Sequence, residues 1–311
     1  MEGAPEPASL RTRAYVDGYN LYYGVLRGTP HKWLDPLRLI ENILPSVLVE
    51  GDGRRPYKST LLPCALKFFT AQILESAARD VDSVTCQKHY HNALRKTHKS
   101  RLEIIEGYYA QQPGKARLID PEDPDKWPRY CEERTIWSLE EKQSDVNLAI
   151  HLVRDALLGD VDQVVVVTND TDIAPALEMV RELTDVRVGV VAPIKPDGHP
   201  NTDLVKHAHW VKRRISPEDL FAAQLPRVVM GGKKPTIKPL SWFPRPDLLN
   251  AVIEICMPVF NGQNNKVWKW LLTPNDKYFD GRQPIDLCSD DAGFSEFLAY
   301  VEKWKNREGI S

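Results

Sequence analysis

Two aspartates follow the most apolar run of the sequence. The run from Gln163 to Val167 contains four consecutive valines, and Asp170 and Asp172 come shortly after it. β-Branched residues in an uninterrupted apolar run favour a strand covered on both faces, as in a parallel sheet flanked by helices. Unpaired carboxylates are strongly disfavoured in a protein core. The two acids are therefore expected either to cap the following helix or to bind a cation.

A third aspartate, Asp17, ends another short apolar stretch. Tyr15 and Val16 predict a strand, and Gly18 allows a tight turn after it. Asn20 then begins a predicted helix. If this strand neighbours the valine strand, as doubly wound sheets usually arrange them, Asp17 and Asp170 face one crevice. That crevice lies at the carboxyl edge of the sheet, where open α/β sheets bind ligands.

Asp145 is placed to join these acids, because it lies near the start of a predicted amphipathic helix over residues 138–158. Carboxylates within a few ångströms raise one another's pKa unless a cation compensates them. Oxygen-only ligation selects Mg²⁺ or Mn²⁺ over zinc, and such ions activate water and hold phosphate oxygens. The residues alone leave helix capping open as the alternative.

Five apolar segments predict strands that alternate with helices. They are Tyr15–Val16, Leu66–Ile73, Leu102–Tyr109, Gln163–Val167 and Val186–Val191. Helices are predicted over residues 20–26, 36–48, 78–97, 138–158, 175–183 and 201–213. Strands joined by crossover helices form a parallel sheet. The sequence therefore predicts an α/β fold with a doubly wound, Rossmann-like parallel sheet of five strands and a small C-terminal helical domain.

The composition divides the chain into four parts. Residues 1–11 are predicted to be a disordered leader, and residues 12–215 form the main domain. Within it, the proline-rich stretch 110–137 is expected to be an insertion, such as a hairpin projecting near the site. Residues 216–246 have the composition of a proline-rich, basic linker, and residues 247–311 are expected to form the small helical domain.

The overall composition is typical of a soluble protein of the cytoplasm. The 311 residues are 42% hydrophobic, and no apolar run approaches the roughly eighteen residues that span a bilayer. The first ten residues lack the pattern of a secretory signal. Five cysteines without C-x-x-C spacing argue against both a disulfide framework and a cysteine zinc site. We therefore expect reduced thiols and a cytoplasmic location with no membrane contact.

The net charge of −2 gives no global sign of a nucleic-acid partner, so local patches are the only candidates. The segment Gln87 to Arg101 contains no acid, and its Lys88, Arg95 and Lys96 are candidates for contacting a phosphate backbone. The segment Arg227 to Arg245 is also free of acids. A solvated surface explains either run equally well.

Four short motifs resemble those of the NYN domains, a branch of the PIN-like nucleases that includes the LabA-like proteins. Asp17-Gly18-Tyr19-Asn20 resembles their D-G-x-N start, and the stretch from Lys142 to Val146 is similar to their K-x-x-D-V helix start. Thr168 to Ile173 stands where they carry S-G-D-S-D-F, with Asn169 in place of Gly. Asn201 to Ala208 resembles their closing S-x-x-L-x-x-x-A helix, with Asn in place of Ser. The resemblance spans residues 13–214.

This resemblance implies a metal-dependent endoribonuclease that hydrolyses RNA, single-stranded or structured, with Mg²⁺ or Mn²⁺ as cofactor. Its implied metal ligands are Asp17, Asp145, Asp170 and Asp172. Asn20 would orient Asp17 or the bound phosphate, and Thr168 would hold a ligand or the attacking water. Lys142 would neutralise the cluster or contact phosphate, although a surface helix lysine is an equally good explanation.

Two other functions remain open from the sequence. The chain could be a non-catalytic RNA-binding or regulatory module whose C-terminal domain docks a protein partner. A phosphatase acting through Asp17 is a weaker possibility, because haloacid dehalogenases carry a second Asp where this chain has Tyr19.

The C-terminal segment 247–311 has a resemblance of its own. Its W-L-x-x-P-N and G-x-x-P-x-x-L patterns, from Trp270 and from Gly281, look like the toxin-binding tail of the MbcA/ParS/Xre antitoxins. The resemblance implies a protein partner or self-association through this segment. Trp268, Trp270 and Trp304 are its candidate anchors, although buried aromatic residues are more often plain core.

Overall fold

The structure is a computed structural model that describes residues 9–47, 57–78 and 80–308. Residues 1–8 of the predicted leader lie outside this range, whereas residues 9–11 already belong to the first strand. The chain forms two compact units. One comprises the described residues of Met1–Arg27 and Leu34–Ile237, and the other those of Gly28–Trp33 and Lys238–Ser311.

The first unit is built on a sheet whose strand order is β4-β3-β2-β1-β5-β6-β7. All neighbouring strands pair in parallel except β3 and β4, which are antiparallel. The strands are β1 (Ser9–Asp17), β2 (Lys58–Ala71), β3 (Leu102–Arg117), β4 (Glu133–Lys142), β5 (Gln163–Val167), β6 (Arg187–Val191) and β7 (Trp210–Lys212). The prediction of a mostly parallel α/β sheet is confirmed, but the number of strands is seven rather than five.

Helices cover the sheet and supply the crossovers between its parallel strands. They are α1 (Gly18–Leu21), a π-helix (Tyr22–Leu26), α2 (Pro36–Ile43), α3 (Ser83–His98), α4 (Ser144–Leu157), α5 (Ala174–Leu183) and α6 (Thr202–Val205). The valine strand β5 is completely buried. Its Val164 and Val166 share one core cluster with Leu152 of α4 and Leu177 of α5. The apolar run thus forms the centre of the sheet.

The antiparallel pair β3 and β4 corrects two predictions. Residues 138–142 were expected to begin a helix, but they complete β4, and helix α4 begins only at Ser144. Gln143 makes the sharp turn between them with a left-handed backbone (φ 79°). The predicted insertion 110–137 corresponds to the outer part of this β-hairpin, because its strands run as far as Arg117 and resume at Glu133.

The closing helix predicted over residues 201–213 is also corrected. Only Thr202–Val205 is α-helical, and Trp210–Lys212 forms the edge strand β7 against β6. The three-residue strand is too short for its alternation to stand out in the sequence. The segment predicted as a linker, 216–246, contains regular structure: helix α7 (Pro217–Ala222) and the antiparallel strands β8 (Val228–Val229) and β9 (Thr236–Ile237).

The second unit is helical. Its helices are α8 (Pro246–Cys256), α9 (Asn264–Leu271), α10 (Asp276–Phe279) and α11 (Asp291–Glu308). They enclose a core that includes Val252, Val267 and Phe297, and Trp268 and Trp270 pack partly buried against it. The Trp304 ring lies 5.3 Å from that of Trp270, so all three tryptophans belong to aromatic packing within this unit. Among the described residues, no helix is both long and apolar enough to cross a membrane.

Candidate functional site

Asp17 occupies the carboxyl end of β1, beside the end of β5. Val16 pairs with Val167, so the residues that follow in each strand meet at the same sheet edge. The Asp17 carboxylate accepts a hydrogen bond from the backbone N–H of Asn20 at 2.9 Å and another from the Thr168 hydroxyl at 3.0 Å. Only 6% of Asp17 is exposed. The predicted juxtaposition of Asp17 with the end of the valine strand is present.

A series of amide side chains ties the neighbouring segments together around Asp17. The Asn20 carboxamide oxygen accepts from the backbone N–H of Asn169 at 2.9 Å. The Asn169 oxygen in turn accepts from the N–H of Asn201 at 2.7 Å. Asn169 and Asn201 stand where the resembling motifs have Gly and Ser. A glycine at position 169 would have no side chain to accept the hydrogen bond from Asn201. The asparagine therefore links the segment before α6 to the site.

Asp170 and Asp172 have different surroundings. The N–H of Asp170 donates to the Thr168 hydroxyl at 3.1 Å, and the Asp170 carboxylate accepts from the N–H of Asp172 at 3.0 Å. Asp170 thereby caps the short 3₁₀ turn Thr171–Ile173 that precedes α5. Asp172 is exposed. The capping alternative therefore accounts for Asp170.

The electrostatics single out Asp17. Burial, and after it the nearby carboxylates of Asp145 and Asp170, raise its pKa to about 7 against the opposing effect of its two hydrogen bonds. Asp145, in the first turn of α4, also has a raised pKa, caused first by burial and then by Asp170 and Asp172. Burial likewise raises the pKa of Glu141 at the end of β4. The site therefore groups several carboxylates, and among the described residues no cation pairs with Asp17.

The grouping of these acids does not amount to a metal centre. Within residues 9–47, 57–78 and 80–308, no three or more His, Cys, Asp or Glu side chains group closely enough to hold a metal ion. Binding of Mg²⁺ or Mn²⁺ by Asp17, Asp145, Asp170 and Asp172 stays a prediction.

The basic residues predicted to contact substrate lie elsewhere or are already engaged. Lys142 is at the end of β4 and pairs with Glu140 at 2.6 Å. Arg95 pairs with Glu106 at 2.8 Å, and the Lys96 ammonium donates to the Thr236 hydroxyl at 2.7 Å. Lys88 is exposed on α3. A role for these residues in binding RNA stays a prediction, as do an RNA partner, a protein partner or self-association through 247–311, and a cytoplasmic location.

An aromatic cluster beside Asp17 was missed by the sequence analysis. The rings of Tyr19 and Tyr23 stack with centroids 6.1 Å apart, and the ring of Tyr109 meets Tyr19 edge-on at 5.7 Å. Burial raises the pKa of Tyr109 to about 12. The Arg27 guanidinium lies 5.3 Å from the centre of the Tyr23 ring. The available signal was the spacing of Tyr19, Tyr23 and Arg27 at successive intervals of four residues, which places them along one helical face.

The π-helix that carries Tyr23 packs closely against the segment after β6. Gly24 lies so close to the backbone carbonyl of Pro193, after β6, that a Cβ atom at Gly24 would collide with it. A π-helix is rare and is found most often at functional sites. Tyr23 is half exposed and Arg27 is exposed, so the cluster presents both an aromatic face and a cation to a ligand.

Comparison with known proteins separates the fold from the function. The NYN domain family matches residues 70–211, which include Asp145, Asp170 and Asp172 but not Asp17. The predicted NYN, PIN-like resemblance is confirmed in that range. A solved structure of a protein of unknown function from Vibrio parahaemolyticus is 15% identical, with a TM-score of 0.36, and the match covers 69% of this chain and 98% of that one. A score this low supports no conclusion.

A curated relative decides the family. The protein named 6-hydroxy-3-succinoylpyridine 3-monooxygenase HspA, from Pseudomonas putida, is 51% identical over 307 residues, which is 98% of this chain and 97% of the relative. The chain belongs to the family of HspA. The prediction of a metal-dependent endoribonuclease is therefore wrong, and so is its non-catalytic RNA-binding alternative, because this near-full-length relative is named as a monooxygenase. The antitoxin-like resemblance of residues 247–311 stays a prediction.

Proposed function

We propose that the protein is a monooxygenase that acts on a hydroxylated pyridine carrying a succinoyl side chain, the substrate class in the name of HspA. The observation that carries the proposal is the 51% identity to HspA over 98% of the chain. That alignment spans both compact units, so it is not confined to the NYN-like region.

The reaction sets the requirements of the site. A monooxygenase breaks the O–O bond of dioxygen, and the name of HspA places the new C–O bond at ring carbon 3, which already carries the succinoyl group. The bond from that carbon to the side chain therefore breaks, the side chain leaves as an aldehyde, and the second oxygen atom leaves as water. Four electrons and four protons complete the balance, and we assign the electrons to two equivalents of a reductant of the hydride-donor class. The protein must therefore bind an aromatic ring, hold an anionic side chain and move protons near neutral pH.

Asp17 is suited to the proton transfer. A general acid or base works best when its pKa lies near the operating pH, and burial brings the pKa of Asp17 to about 7. We assign to it the exchange of a proton with the ring hydroxyl of the substrate. Removing that proton makes the ring more electron-rich and so more reactive towards oxygen. The Thr168 hydroxyl, 3.0 Å from the carboxylate, fixes its orientation.

The aromatic cluster and Arg27 complement the rest of the substrate. Aromatic rings prefer to stack on aromatic side chains, and the half-exposed Tyr23 offers such a face two turns from Asp17. The succinoyl chain ends in a carboxylate, for which the planar guanidinium of Arg27 supplies two parallel donors. Tyr19 and Tyr23 would then bind the pyridine ring, and Arg27 its acidic side chain.

The test is incorporation of oxygen-18. Purified protein is incubated with 6-hydroxy-3-succinoylpyridine, a hydride donor and labelled dioxygen, and the product is analysed by mass spectrometry. We expect one labelled oxygen atom in the pyridine product. No label in the product of the wild-type protein would refute the proposal.

Arg27→Gln tests the side-chain contact in the same assay. Losing a charge-assisted bond is expected to raise KM by roughly ten- to a hundredfold with little change in kcat. Arg27→Lys should recover part of the loss. Arg181→Gln, at an exposed position on α5, is the matched control and should behave as wild type.

A further inference from the structure

Strand β4 has an unpaired edge. Its inner edge pairs with β3 over ten residue pairs, from Tyr108 opposite Lys142 to Arg117 opposite Glu133, without a register shift. Among the described strands, none pairs with its outer edge. A long regular edge presents unpaired N–H and C=O groups and is a template for pairing with another strand.

The side chains of β4 do not protect that edge. Ile136, Trp137 and Leu139 are 45%, 70% and 44% exposed, at the centre of the strand. Natural edge strands are protected by shortness, bulges, proline or charged side chains. Strand β4 is neither short, bulged nor broken by proline, and its charged residues lie only at its two ends, away from this central apolar stretch. Exposed apolar side chains around an open edge favour a partner that covers both.

The backbone orientation of β4 defines which residues can pair outwards. The N–H of Leu118 donates to the carbonyl of Glu132, which continues the β3–β4 register. Backbone groups alternate sides along an antiparallel strand. Even-numbered residues of β4 therefore direct their N–H and C=O groups towards β3, and odd-numbered residues, Trp137 among them, direct theirs outwards.

We propose that two copies of this chain pair edge to edge through β4, antiparallel, with Trp137 on the twofold axis. Within one chain Arg134 pairs with Glu132 at 2.7 Å and Lys142 with Glu140 at 2.6 Å. In this register these two ion pairs meet those of the other copy with opposite charges facing, Arg134 opposite Glu140 and Glu132 opposite Lys142. Opposite charges facing one another across strands stabilise the pairing. The two Trp137 side chains lie next to each other, and the outward N–H and C=O groups of each Trp137 bond to those of the other across the axis.

Charge selects this register over its neighbours. A twofold axis perpendicular to the sheet requires residues on the same face to pair, so the alternatives are centred on Ile136 or Ser138. Centring on Ser138 would set Arg134 against Lys142, and centring on Ile136 would set Glu132 against Glu140. In the register centred on Trp137 the only facing like charges are Glu133 and Glu141. Glu133 is already neutralised within its own chain by Lys115 at 2.8 Å and Arg117 at 3.0 Å.

Sedimentation equilibrium of the full-length protein over a wide range of concentrations tests the proposal. The wild type is expected at twice the chain mass of 35.4 kDa. Trp137→Pro removes an outward N–H and leaves the bonds to β3 in place, so it should give a monomer. Arg134→Glu places like charges opposite one another twice and should weaken the dimer by roughly tenfold or more.

The charge-swapped variant Arg134→Glu/Glu140→Arg guards against indirect effects, because it should restore the dimer that each single substitution weakens. Circular dichroism and melting of every variant check that the fold is kept. A wild-type monomer at all concentrations would overturn the proposal. So would a dimer that Trp137→Pro and Arg134→Glu leave unchanged, since that dimer must use another surface. None of these outcomes depends on the proposed enzymatic function.

Discussion

Asp17, at the end of strand β1, and Asp155, on α4 beside that strand, are both buried carboxylates, but only Asp155 is surrounded by cations. Asp155, on α4, is 1% exposed and accepts hydrogen bonds from Lys67 at 2.6 Å, Arg13 at 2.7 Å and the Tyr15 hydroxyl at 2.7 Å. Burial alone would raise the pKa of Asp155, but these bonds outweigh it and hold the pKa below its usual value. Arg13 and Lys67 neutralise one oxygen of this carboxylate, and Arg154 lies 3.6 Å from the other.

Among the residues that the structure describes, no cation pairs with Asp17. Its partners are a backbone N–H and a hydroxyl, and the neighbouring Asp145 and Asp170 repel its charge. Asp155 thus stays ionised and binds α4 to β1 through ion pairs, whereas the protonation of Asp17, at the end of β1, changes near neutral pH. Strongly perturbed pKa values collect at functional sites. The contrast indicates that Asp155 stabilises the fold and that Asp17 is suited to proton transfer.

The largest expected effect is on turnover. Asp17→Asn keeps the acceptor for the Asn20 N–H but removes proton exchange, so kcat in the oxygenation assay should fall by roughly 10²- to 10⁴-fold. Chemical denaturation at pH 8 should show no loss of unfolding free energy, because the amide relieves a buried, repelled charge. The control is Glu182→Gln, at an exposed position on α5. If Asp17→Asn kept its turnover, Asp17 would not take part in proton transfer and would only contribute to the structure.

The second effect is on stability. Asp155→Ala leaves Arg13 and Lys67 buried without their anion, which typically costs about 3–5 kcal/mol. Urea denaturation measures the loss. Asp162→Ala is the matched control, since it removes a pair with the mostly exposed Arg11 and should cost about 1 kcal/mol or less. Equal losses of unfolding free energy from the two substitutions would mean that the buried ion pairs of Asp155 add no more stability than the exposed pair of Asp162.

The third and smallest effect is the pH dependence of stability, in which the two acids should have opposite signs. The folded-state pKa of Asp17 is raised to about 7 from 3.8, so its stabilising contribution is present below pH 4 and lost as the pH rises through 7. Relative to Asp17→Asn, the wild type should lose about 4 kcal/mol at most over that range.

The folded-state pKa of Asp155 is lowered below 3.8, so its contribution is present above the unfolded pKa and is lost as the pH falls through the folded-state pKa. Denaturation of wild type and both variants from pH 2 to pH 8 measures both slopes. Slopes of the same sign for Asp17 and Asp155 would contradict the contrast between them.

The sequence revealed those parts of the fold that are written as apolar patterns. Strands β1, β2, β3, β5 and β6 are apolar runs, and their parallel order correctly placed Asp17 beside the end of β5. Strand β4 carries no apolar run, because nearly all of its side chains are exposed, and its charged end was assigned to a helix. Its pairing with β3 is a non-local interaction that local pattern does not encode.

The candidate site was predicted only in part, for the same reason. The acids are visible as residue types, whereas the cluster of Tyr19, Tyr23 and Tyr109 assembles from two distant segments. The nuclease prediction failed because motif resemblance identifies a fold, and one fold supports unrelated chemistries. It is contradicted by similarity along nearly the whole chain to HspA, a protein named as a monooxygenase, although the NYN domain family also matches.

The amide series of Asn20, Asn169 and Asn201 gives the site a frame that does not titrate. Carboxamides and backbone N–H groups keep their charge and their hydrogen-bonding roles across the whole physiological pH range. The bonds that join β1, β5 and the segment before α6 therefore stay the same whether Asp17 is protonated or ionised. The protein can change the charge at the centre of the site without changing the shape of the site around it.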